Sequence, residues 1–367
     1  MNRDEIQKEA FESLLKNYND GNNRLILNIT MRVGKTRIAL LFLKEKKIKE
    51  VDILVPYKTN IETWKKEKEL IYPELKINIL NYRSITKLKS EYIILDEIQS
   101  LTMNKYKLAK DKLENAKLLL GLTGTLPRDL NKLFVLLHKL NFLISYTYEL
   151  KNAIEDNIIN DFELVIIYSK LDIKKNIQIK TKNFNFKTSE KKSYNYYTKK
   201  IAQYPSKKNR LARASILYNL KSKIETTKSL LNLINNKKTL IFTKRIEIAK
   251  LICKNVIDSK SNDNEKLLSD FINDKTNYLA TIEMLKLGVT IPNIDYIIIE
   301  SFDSNPGVFI QKIARGLLKT DENKKLKVFI IVAKNTVEEE WVNKIIPSFK
   351  KVKKFNYYLG NFNKIEE

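Results

Sequence analysis

Gly34, Lys35 and Thr36 are the first residues of this sequence whose types and order suggest chemistry. They follow an apolar run that predicts a strand and precede a pattern that predicts a helix. In that setting the backbone N–H groups of the turn and of the helix N-terminus can bind phosphate, because they carry partial positive charge. Lys35 would reach the terminal phosphates and the Thr36 hydroxyl would bind magnesium. The sequence therefore predicts a site for a magnesium-bound nucleotide.

The rest of this loop departs from the usual GxxxxGK[ST] pattern. Ile29 stands where that pattern has its first glycine, and Arg32 stands where many such loops have another. With Gly34 as the remaining glycine, we expect the turn to use backbone conformations open to ordinary residues. Arg32 and Val33 would complete the nucleotide-binding loop, with Arg32 at its outer edge, where positive charge is tolerated near phosphate.

Two adjacent carboxylates, Asp96 and Glu97, follow the apolar run at 92–95, about 60 residues after Thr36. Because open parallel sheets bind ligands at the carboxyl ends of their strands, both side chains are expected beside the phosphate loop. Asp96 would bind magnesium, directly or through water, and Glu97 would orient and deprotonate an attacking water. The alternative interpretation is an acidic turn without chemistry.

The surrounding pattern predicts an α/β fold. Its apolar runs do not alternate with polar residues, which indicates strands buried on both faces, hence parallel sheets covered by helices. The predicted strands are 24–29, 51–55, 77–80, 92–95, 117–122, 239–243, 277–281, 295–300 and 327–332. The predicted helices include 36–46, 60–70, 245–254, 265–273, 308–318 and 337–346.

These elements form two groups, and a chain of 367 residues exceeds the size that one core usually serves. We therefore expect two doubly wound parallel-sheet lobes, 1–148 and 229–367, with 149–228 as a basic connecting region that leads into the second lobe. Residues 170–228 carry 17 Lys or Arg against three acidic residues, with interleaved aromatics. Such a segment suits either a surface that tracks a nucleic-acid backbone or a solvated linker, and the sequence leaves both open.

Composition narrows the class of protein. The net charge of +25 favours a polyanionic partner, although the excess of lysine, 58 against 10 arginines, is also what an AT-rich genome imposes. One cysteine, Cys253, and one histidine, His138, exclude a disulfide framework and a zinc site built from these residues. No apolar stretch predicts a membrane span or a signal peptide, so we expect a soluble cytoplasmic protein, in the host cytoplasm if the protein is viral.

In their order along the chain, these motifs resemble those of superfamily 2 helicases and translocases, most closely the compact helicase-like ATPases of phages and large DNA viruses. The resemblance covers nearly the whole chain. It implies two RecA-like lobes with a cleft between them that binds ATP and Mg²⁺, and nucleic acid as partner, DNA in preference to RNA. It also implies that Gln7 corresponds to the glutamine that reads adenine, although a glutamine in an amphipathic first helix is usually a surface residue.

The resemblance further assigns nucleic-acid contacts. The segments VPYK at 55–58 and NYRS at 81–84 resemble family motifs that touch the backbone, and LTGTL at 122–126 resembles the motif that links ATP to the nucleic-acid face. TLIFTKR at 239–245 and ATIEMLKLGVTIPNID at 280–295 resemble motifs of the second lobe. The expected contact residues are Lys58, Arg83, Thr125, Thr243, Lys244 and Thr281. Each motif taken singly also fits an ordinary turn.

The segment QKIAR at 311–315 resembles the last helicase motif, usually QRxGRxxR. Gln311 and Arg315 match that motif, whereas Leu318 replaces its final arginine. The resemblance implies that Gln311 and Arg315 are catalytic, with Arg315 as the finger that neutralises the transition-state charge. If the finger position is Leu318 instead, hydrolysis would be slow.

The predicted function is a nucleic-acid-dependent ATPase that acts as a helicase or translocase in DNA repair, recombination, replication or viral transcription. It would act as a monomer, alone or together with other replication or repair proteins. One alternative is a nucleic-acid-binding protein whose degenerate ATPase serves as a switch or scaffold, and the unusual loop and last motif support it. A small-molecule kinase is a third interpretation, which the motifs of the second lobe oppose.

Overall fold

The computed structural model describes residues 1–30, 32–56, 59–124, 126, 132–159, 162–175, 177–180, 185–258, 261–282, 291–302, 309, 313, 326–346, 349, 352–358 and 360–364. These residues form two compact units, one over Met1–Ile159 and the other over the described residues from 162 onward. None of the helices described is long and apolar enough to cross a bilayer.

The first unit contains a six-stranded sheet whose strands are all parallel. Its strands are β1 (Arg24–Ile29), β2 (Glu50–Val55), β3 (Lys76–Asn81), β4 (Tyr92–Asp96), β5 (Leu118–Thr123) and β6 (Leu143–Tyr148), in the order β3-β2-β4-β5-β1-β6. Its helices are α1 (Arg3–Asn19), α2 (Lys35–Glu45), α3 (Thr59–Ile71), α4 (Met103–Leu108), α5 (Lys110–Glu114), α6 (Lys132–Lys139) and α7 (Leu150–Glu155), with 3-10 helices at Tyr82–Lys87 and Ile98–Ser100. This order places β4, β5 and β1 side by side, so the segments that follow them meet at one edge.

The second unit contains an eight-stranded sheet in the order β11-β12-β10-β13-β14-β7-β15-β16. Its strands are β7 (Phe162–Ser169), β10 (Thr239–Thr243), β11 (Val256–Ile257), β12 (Tyr278–Ile282), β13 (Tyr296–Ile299), β14 (Leu326–Ala333), β15 (Val352–Tyr358) and β16 (Asn361–Lys364), and β8 (Ile177–Lys180) pairs separately with β9 (Asn185–Thr188). Its helices are α8 (Glu190–Gln203), α9 (Lys207–Leu217), α10 (Lys221–Leu233), α11 (Ile246–Ile252), α12 (Asn264–Ile272) and α13 (Val337–Ile345). Only the pair β15 and β16 is antiparallel among the described strands of this sheet.

The strands predicted from the sequence are confirmed in both units, each within about one residue of its observed bounds. Continuous apolar runs identified them because they are buried on both faces, as in β5, where all six residues are buried. The predicted helix at 308–318 lies outside the described residues apart from Phe309 and Ile313.

The segment at 149–228, expected as a connecting region, contains more than a connector. β7 lies inside the second sheet, paired with β14 on one side and β15 on the other. Its core residues Leu164, Ile166 and Ile167 are at most 1 % exposed, so this strand is part of the second unit's core. The apolar run FELVIIYS predicts this strand, whereas the basic residues that follow it favoured a connecting region.

A buried ion pair ties α10 to α13. The Lys223 ammonium donates to both carboxylate oxygens of Glu338, at 2.9 and 3.1 Å, and both side chains are 0 % exposed. The backbone N–H of Ala333 also donates to Glu338, at 2.8 Å. Burial raises the pKa of Glu338 in spite of this pairing.

Replacing Lys223 by methionine should cost about 3 to 5 kcal/mol of the second unit's stability, because Glu338 would remain buried without its counter-charge. The measurement is urea unfolding followed by the fluorescence of Trp341, which lies on α13 with Glu338. The double variant Lys223→Met, Glu338→Gln should recover most of the loss, since the amide is neutral and still accepts from Ala333. Equal stability of Lys223→Met and the unaltered protein would contradict the prediction.

Candidate nucleotide site and nucleic-acid surface

The predicted phosphate loop lies between β1 and α2. Gly34 precedes the helix with φ of 108°, a left-handed conformation that glycine adopts without strain, and no side chain caps the N-terminus of α2. The first N–H groups of α2 are therefore not used by a capping side chain and suit an anionic group. The Lys35 ammonium donates to the carbonyl of Ile29 at 2.9 Å, which holds the lysine over the loop.

Arg32 corrects one expectation about this loop. Its φ is 72°, so it adopts the left-handed conformation at the position where related loops have glycine. The expectation that the turn would use only conformations open to ordinary residues is wrong. A non-glycine residue in this region costs about 1 to 2 kcal/mol, and such strain is concentrated at functional sites. Arg32 is partly exposed, and Val33 is fully buried.

Gln7 lies against the loop rather than on the surface. It is 8 % exposed, and its Nε2 donates to the carbonyl of Val33 at 2.6 Å. A Cβ added to Gly34 would come within 2.6 Å of the same nitrogen, so Gly34 is required here for close contact as well as for its φ. Arg3 donates to the same carbonyl at 3.3 Å. The first helix therefore fixes the turn that precedes Gly34.

Asp96 ends β4 and is 7 % exposed. Its Oδ2 accepts hydrogen bonds from Trp64 Nε1 at 3.1 Å and from Asn60 Nδ2 at 3.2 Å. Within the described residues Oδ1 accepts none, so it is the oxygen available to a cation or a cation's water. Burial, together with the charge of Glu97, raises the pKa of Asp96 from 3.8 to about 6, although Trp64 and Lys35 act in the opposite direction.

Glu97 begins a polar chain that reaches the neighbouring strand. It leaves β4 in a left-handed conformation, with φ of 52°, and its Oε2 accepts from Gln99 Nε2 at 2.5 Å. Gln99 Oε1 in turn accepts from the Thr123 hydroxyl at 2.9 Å, at the end of β5. The DEIQ and LTGT segments are therefore in direct contact through side chains.

Three further residues contact Asp96: Asn60, which was missed from the sequence, and Trp64 and Tyr82, which belong to the segments expected to contact nucleic acid and whose contact with Asp96 was not predicted. The Tyr82 hydroxyl, 1 % exposed, donates to the backbone carbonyl of Asp96 at 3.1 Å. Trp64 is also 1 % exposed. Asn60 and Trp64 lie on α3, which follows the VPYK motif, and Tyr82 lies within the NYRS motif, so segments after both β2 and β3 contact Asp96.

The assembled groups fit a nucleoside triphosphate with a divalent cation. An uncapped helix N-terminus and Lys35 suit the phosphates, while Thr36 and Asp96 suit magnesium. The charge of Lys35 lowers the pKa of Asp96. Gly124 lies beside Lys35, whose Nζ is 3.6 Å from where a Cβ at Gly124 would stand. In the described part of the chain no three His, Cys, Asp or Glu side chains form a group that could hold a metal ion.

The predicted nucleic-acid residues have different environments. Arg83 is exposed on the 3-10 helix after β3. Thr243 and Thr281 lie at the adjacent ends of β10 and β12 but are 0 % and 1 % exposed, so neither hydroxyl is accessible to a nucleic acid as placed. Lys244, next to Thr243, is partly exposed. The remaining predicted residues, Lys58, Thr125, Gln311 and Arg315, lie outside the described residues.

Residues 222–317 match the family model of the helicase conserved C-terminal domain. The matched segment begins in α10 and includes β10, β12 and β13. No curated protein sequence matches the chain.

Solved structures resemble the chain over most of its length. One is the ATP-dependent Type ISP restriction-modification enzyme LlaBIII bound to DNA, with a TM-score of 0.61 and 13 % identity over 97 % of this chain and 31 % of that one. A second is the Hef helicase domain of Pyrococcus furiosus, with a TM-score of 0.50 and 13 % identity over 91 % and 97 % of the two chains. A third is S. cerevisiae Dbp5 bound to RNA and ADP BeF3, with a TM-score of 0.58 and 13 % identity over 96 % and 89 %.

These likenesses establish the fold. Each unit is an α/β, parallel-sheet lobe of the RecA-like type, as the sequence predicted. The chain spans about a third of the restriction-modification enzyme and most of the Hef helicase domain and of Dbp5. Residues 222–317 are thus similar to a helicase C-terminal domain, and the whole chain shares its fold with these solved structures.

Proposed function

We propose that this protein is a nucleic-acid-dependent ATPase of helicase superfamily 2, which acts as a helicase or translocase on DNA in preference to RNA. The observation that carries the proposal is that Lys35, at the uncapped N-terminus of α2, and Asp96, at the end of β4, lie at the carboxyl edge of one parallel sheet. The similarity of residues 222–317 to a helicase C-terminal domain supports the second lobe that such a motor needs. Membership of the phage or viral group, monomeric action and a role in repair, recombination, replication or viral transcription are further parts of the proposal, supported by the sequence resemblance.

Each side chain of the site has a defined task in this proposal. The N–H groups of α2 and Lys35 bind the phosphates, Thr36 and Asp96 hold the cation, and Gln7 reads adenine. Bound Mg²⁺ would supply positive charge that neutralises the phosphate oxygens. Glu97 orients the attacking water and accepts its proton on a carboxylate oxygen, held in place by Gln99.

Several further site residues, from both lobes, are proposed from the resemblance alone. Gln311 and Arg315 are proposed to complete catalysis, Arg315 as the arginine finger. Lys58, Arg83, Thr125, Thr243, Lys244 and Thr281 are proposed as the nucleic-acid surface. Because Thr243 and Thr281 are buried, we expect them to act through the backbone at the strand ends, with Lys244 as the side chain that reaches phosphate.

The test is ATP hydrolysis by the full chain, measured alone and with single-stranded DNA, duplex DNA, forked DNA or RNA. Nucleic acid should raise the rate, and Lys35→Ala should remove activity in every case. A rate that no nucleic acid changes would overturn the motor proposal. Binding of ATP and nucleic acid without hydrolysis would favour the switch or scaffold, for which the atypical loop and last motif are the supporting observations.

Trp64 should support the cation site without touching the nucleotide. Trp64→Phe removes one donor to Asp96 Oδ2 and leaves Asn60 in place, so the magnesium concentration for half-maximal hydrolysis should rise about tenfold, as for other partners of metal-binding carboxylates. The measurement is a magnesium titration at saturating ATP. The matched control is Trp341→Phe in the second unit, which should not change the titration. An unchanged midpoint in Trp64→Phe would show that its hydrogen bond does not position Asp96.

A further inference from the structure

The helices α8 and α9 form a hairpin, here called the arm, that the catalytic site does not use. From Lys191 to Ile224 the chain contains ten Lys or Arg and no Asp or Glu. A stretch of this length would carry about four acidic residues at the chain's average of 43 in 367. An AT-rich genome accounts for many lysines, but it does not account for the absence of carboxylates. Lys191, Lys192, Lys199, Lys207, Lys208 and Arg210 are all exposed.

The arm is fixed to the second unit at its base. Glu190, 1 % exposed, accepts hydrogen bonds from the backbone of Asp172 at 2.8 Å and from the Ser222 hydroxyl at 2.7 Å. The Tyr194 hydroxyl accepts from the N–H of Val337 at 2.7 Å. Tyr194 also packs with Leu217, Leu220 and Ala333 in a small apolar cluster. An anchored hairpin does not fit the interpretation of this segment as a solvated linker.

The arm also exposes aromatic rings among its positive charges. Tyr196 is 57 % exposed and Tyr204, at the end of α8, is 70 % exposed. The Lys200 ammonium lies 5.5 Å from the centre of the Tyr196 ring. Exposed rings beside cations are suited to stacking on bases while the cations bind phosphates.

A hydrogen bond joins the arm to the segment that follows the carboxyl end of β10. Arg245 Nη2 donates to the hydroxyl of Ser215 on α9 at 2.7 Å. Arg245 follows Lys244, the predicted phosphate contact, and its carbonyl accepts from Thr243 at 3.2 Å. The basic surface of α9 therefore continues from the segment that follows β10.

We propose that the arm binds single-stranded nucleic acid, along a path that runs from Lys244 over α9 to Tyr204; this inference rests on the proposed function and extends its nucleic-acid surface. Phosphates contact Lys207, Lys208 and Arg210, and an unpaired base stacks on Tyr204. A single strand fits better than a duplex, because the bases of a duplex are already stacked on one another. An unpaired base of a single strand is free to stack on the exposed ring of Tyr204.

The test compares three forms of the full chain: unaltered, the triple variant Lys207→Ala, Lys208→Ala, Arg210→Ala, and Tyr204→Ala. Binding of fluorescent oligothymidylate, oligouridylate and a DNA duplex is measured by anisotropy over a range of salt. For single strands, each phosphate contact contributes about 0.7 to the magnitude of the slope of log K against log salt concentration. In the triple variant the magnitude of this slope should therefore fall by about 2. Tyr204→Ala should weaken single-strand binding about tenfold, with its slope unchanged.

The triple variant should fold normally, because its three cations lie at the start of α9, where the helix dipole disfavours positive charge. The matched control removes three exposed lysines near the β11 edge, Lys254, Lys266 and Lys275. If the unaltered protein binds but the arm variants match this control, the inference fails and the proposed function stands. If the unaltered protein binds none of the probes, both fail. If Tyr204→Ala weakens duplex and single strand equally, the single-strand assignment is overturned.

Discussion

Asp96→Asn is expected to make the protein more stable and catalytically inactive. In the folded protein the pKa of Asp96 is about 6 instead of 3.8, so the folded state binds this proton more tightly than the unfolded state. Stability from this group is therefore greatest at low pH, falls as the pH rises from about 3.8 to about 6, and stays low above that. A shift of about two pKa units corresponds to about 3 kcal/mol, which the neutral amide would recover at pH above 6.

Asparagine keeps the contacts that hold this position. Its amide oxygen can accept from Trp64 and Asn60 as Oδ2 does now. It lacks the negative charge that magnesium requires, so ATP hydrolysis should fall by at least about a hundredfold, because several kcal/mol of transition-state stabilisation depend on the metal.

Thermal unfolding without nucleotide, at a pH near 4 and at a pH above 7, measures the stability effect. The gain should appear at the higher pH and nearly vanish at the lower one. Asp111→Asn on α5, where the carboxylate is exposed, is the control and should change stability little at either pH. A loss of stability in Asp96→Asn at the higher pH would show that the charged carboxylate is not strained by burial.

Part of the candidate site could be predicted from the sequence, because its charged residues stand next to buried apolar strands. Lys35, Asp96 and Glu97 follow apolar strands, and a strand's end is a local signal that fixes where the next side chain lies. The continuous apolar runs identified β1, β4 and β5 for the same reason. Local patterns therefore predicted the sheets and the residues at their carboxyl edge.

Contacts between distant segments were not readable in this way. Trp64 lies 32 residues from Asp96, and Gln7 lies 26 residues from Val33, so no local pattern joins either pair. The left-handed backbone of Arg32 is equally hidden, because it depends on neighbours such as Gln7 and Arg3 that hold the adjacent carbonyl. These tertiary contacts override the ordinary preference of arginine for negative φ.

The arrangement also suggests how nucleic acid and nucleotide could influence one another within the first unit. The segments after β2 and β3, which carry the predicted backbone contacts, place Trp64 and Tyr82 directly on Asp96. A nucleic acid that shifts either segment would therefore move the cation's carboxylate. In this arrangement a single side chain, Trp64 or Tyr82, connects the segment expected to contact nucleic acid with Asp96.

Glu97→Gln is expected to separate binding from turnover. Glutamine can still accept from Gln99 through its amide oxygen, so the chain from Thr123 to position 97 is preserved. It cannot accept a proton from the attacking water. Because a general base contributes about 10² to 10⁴ in rate, hydrolysis with saturating nucleic acid should fall by that factor.

ATP affinity and nucleic-acid affinity should both remain within about twofold of the unaltered protein, since phosphate and cation are bound by other residues. Single-turnover hydrolysis and equilibrium binding of ATP measure the two quantities separately. Glu12→Gln, an exposed position on α1, is the control and should leave both unchanged. If Glu97→Gln weakened ATP binding as strongly as it slowed turnover, Glu97 would serve the cation instead of the water. The division of labour between the two adjacent carboxylates would then have to be reversed.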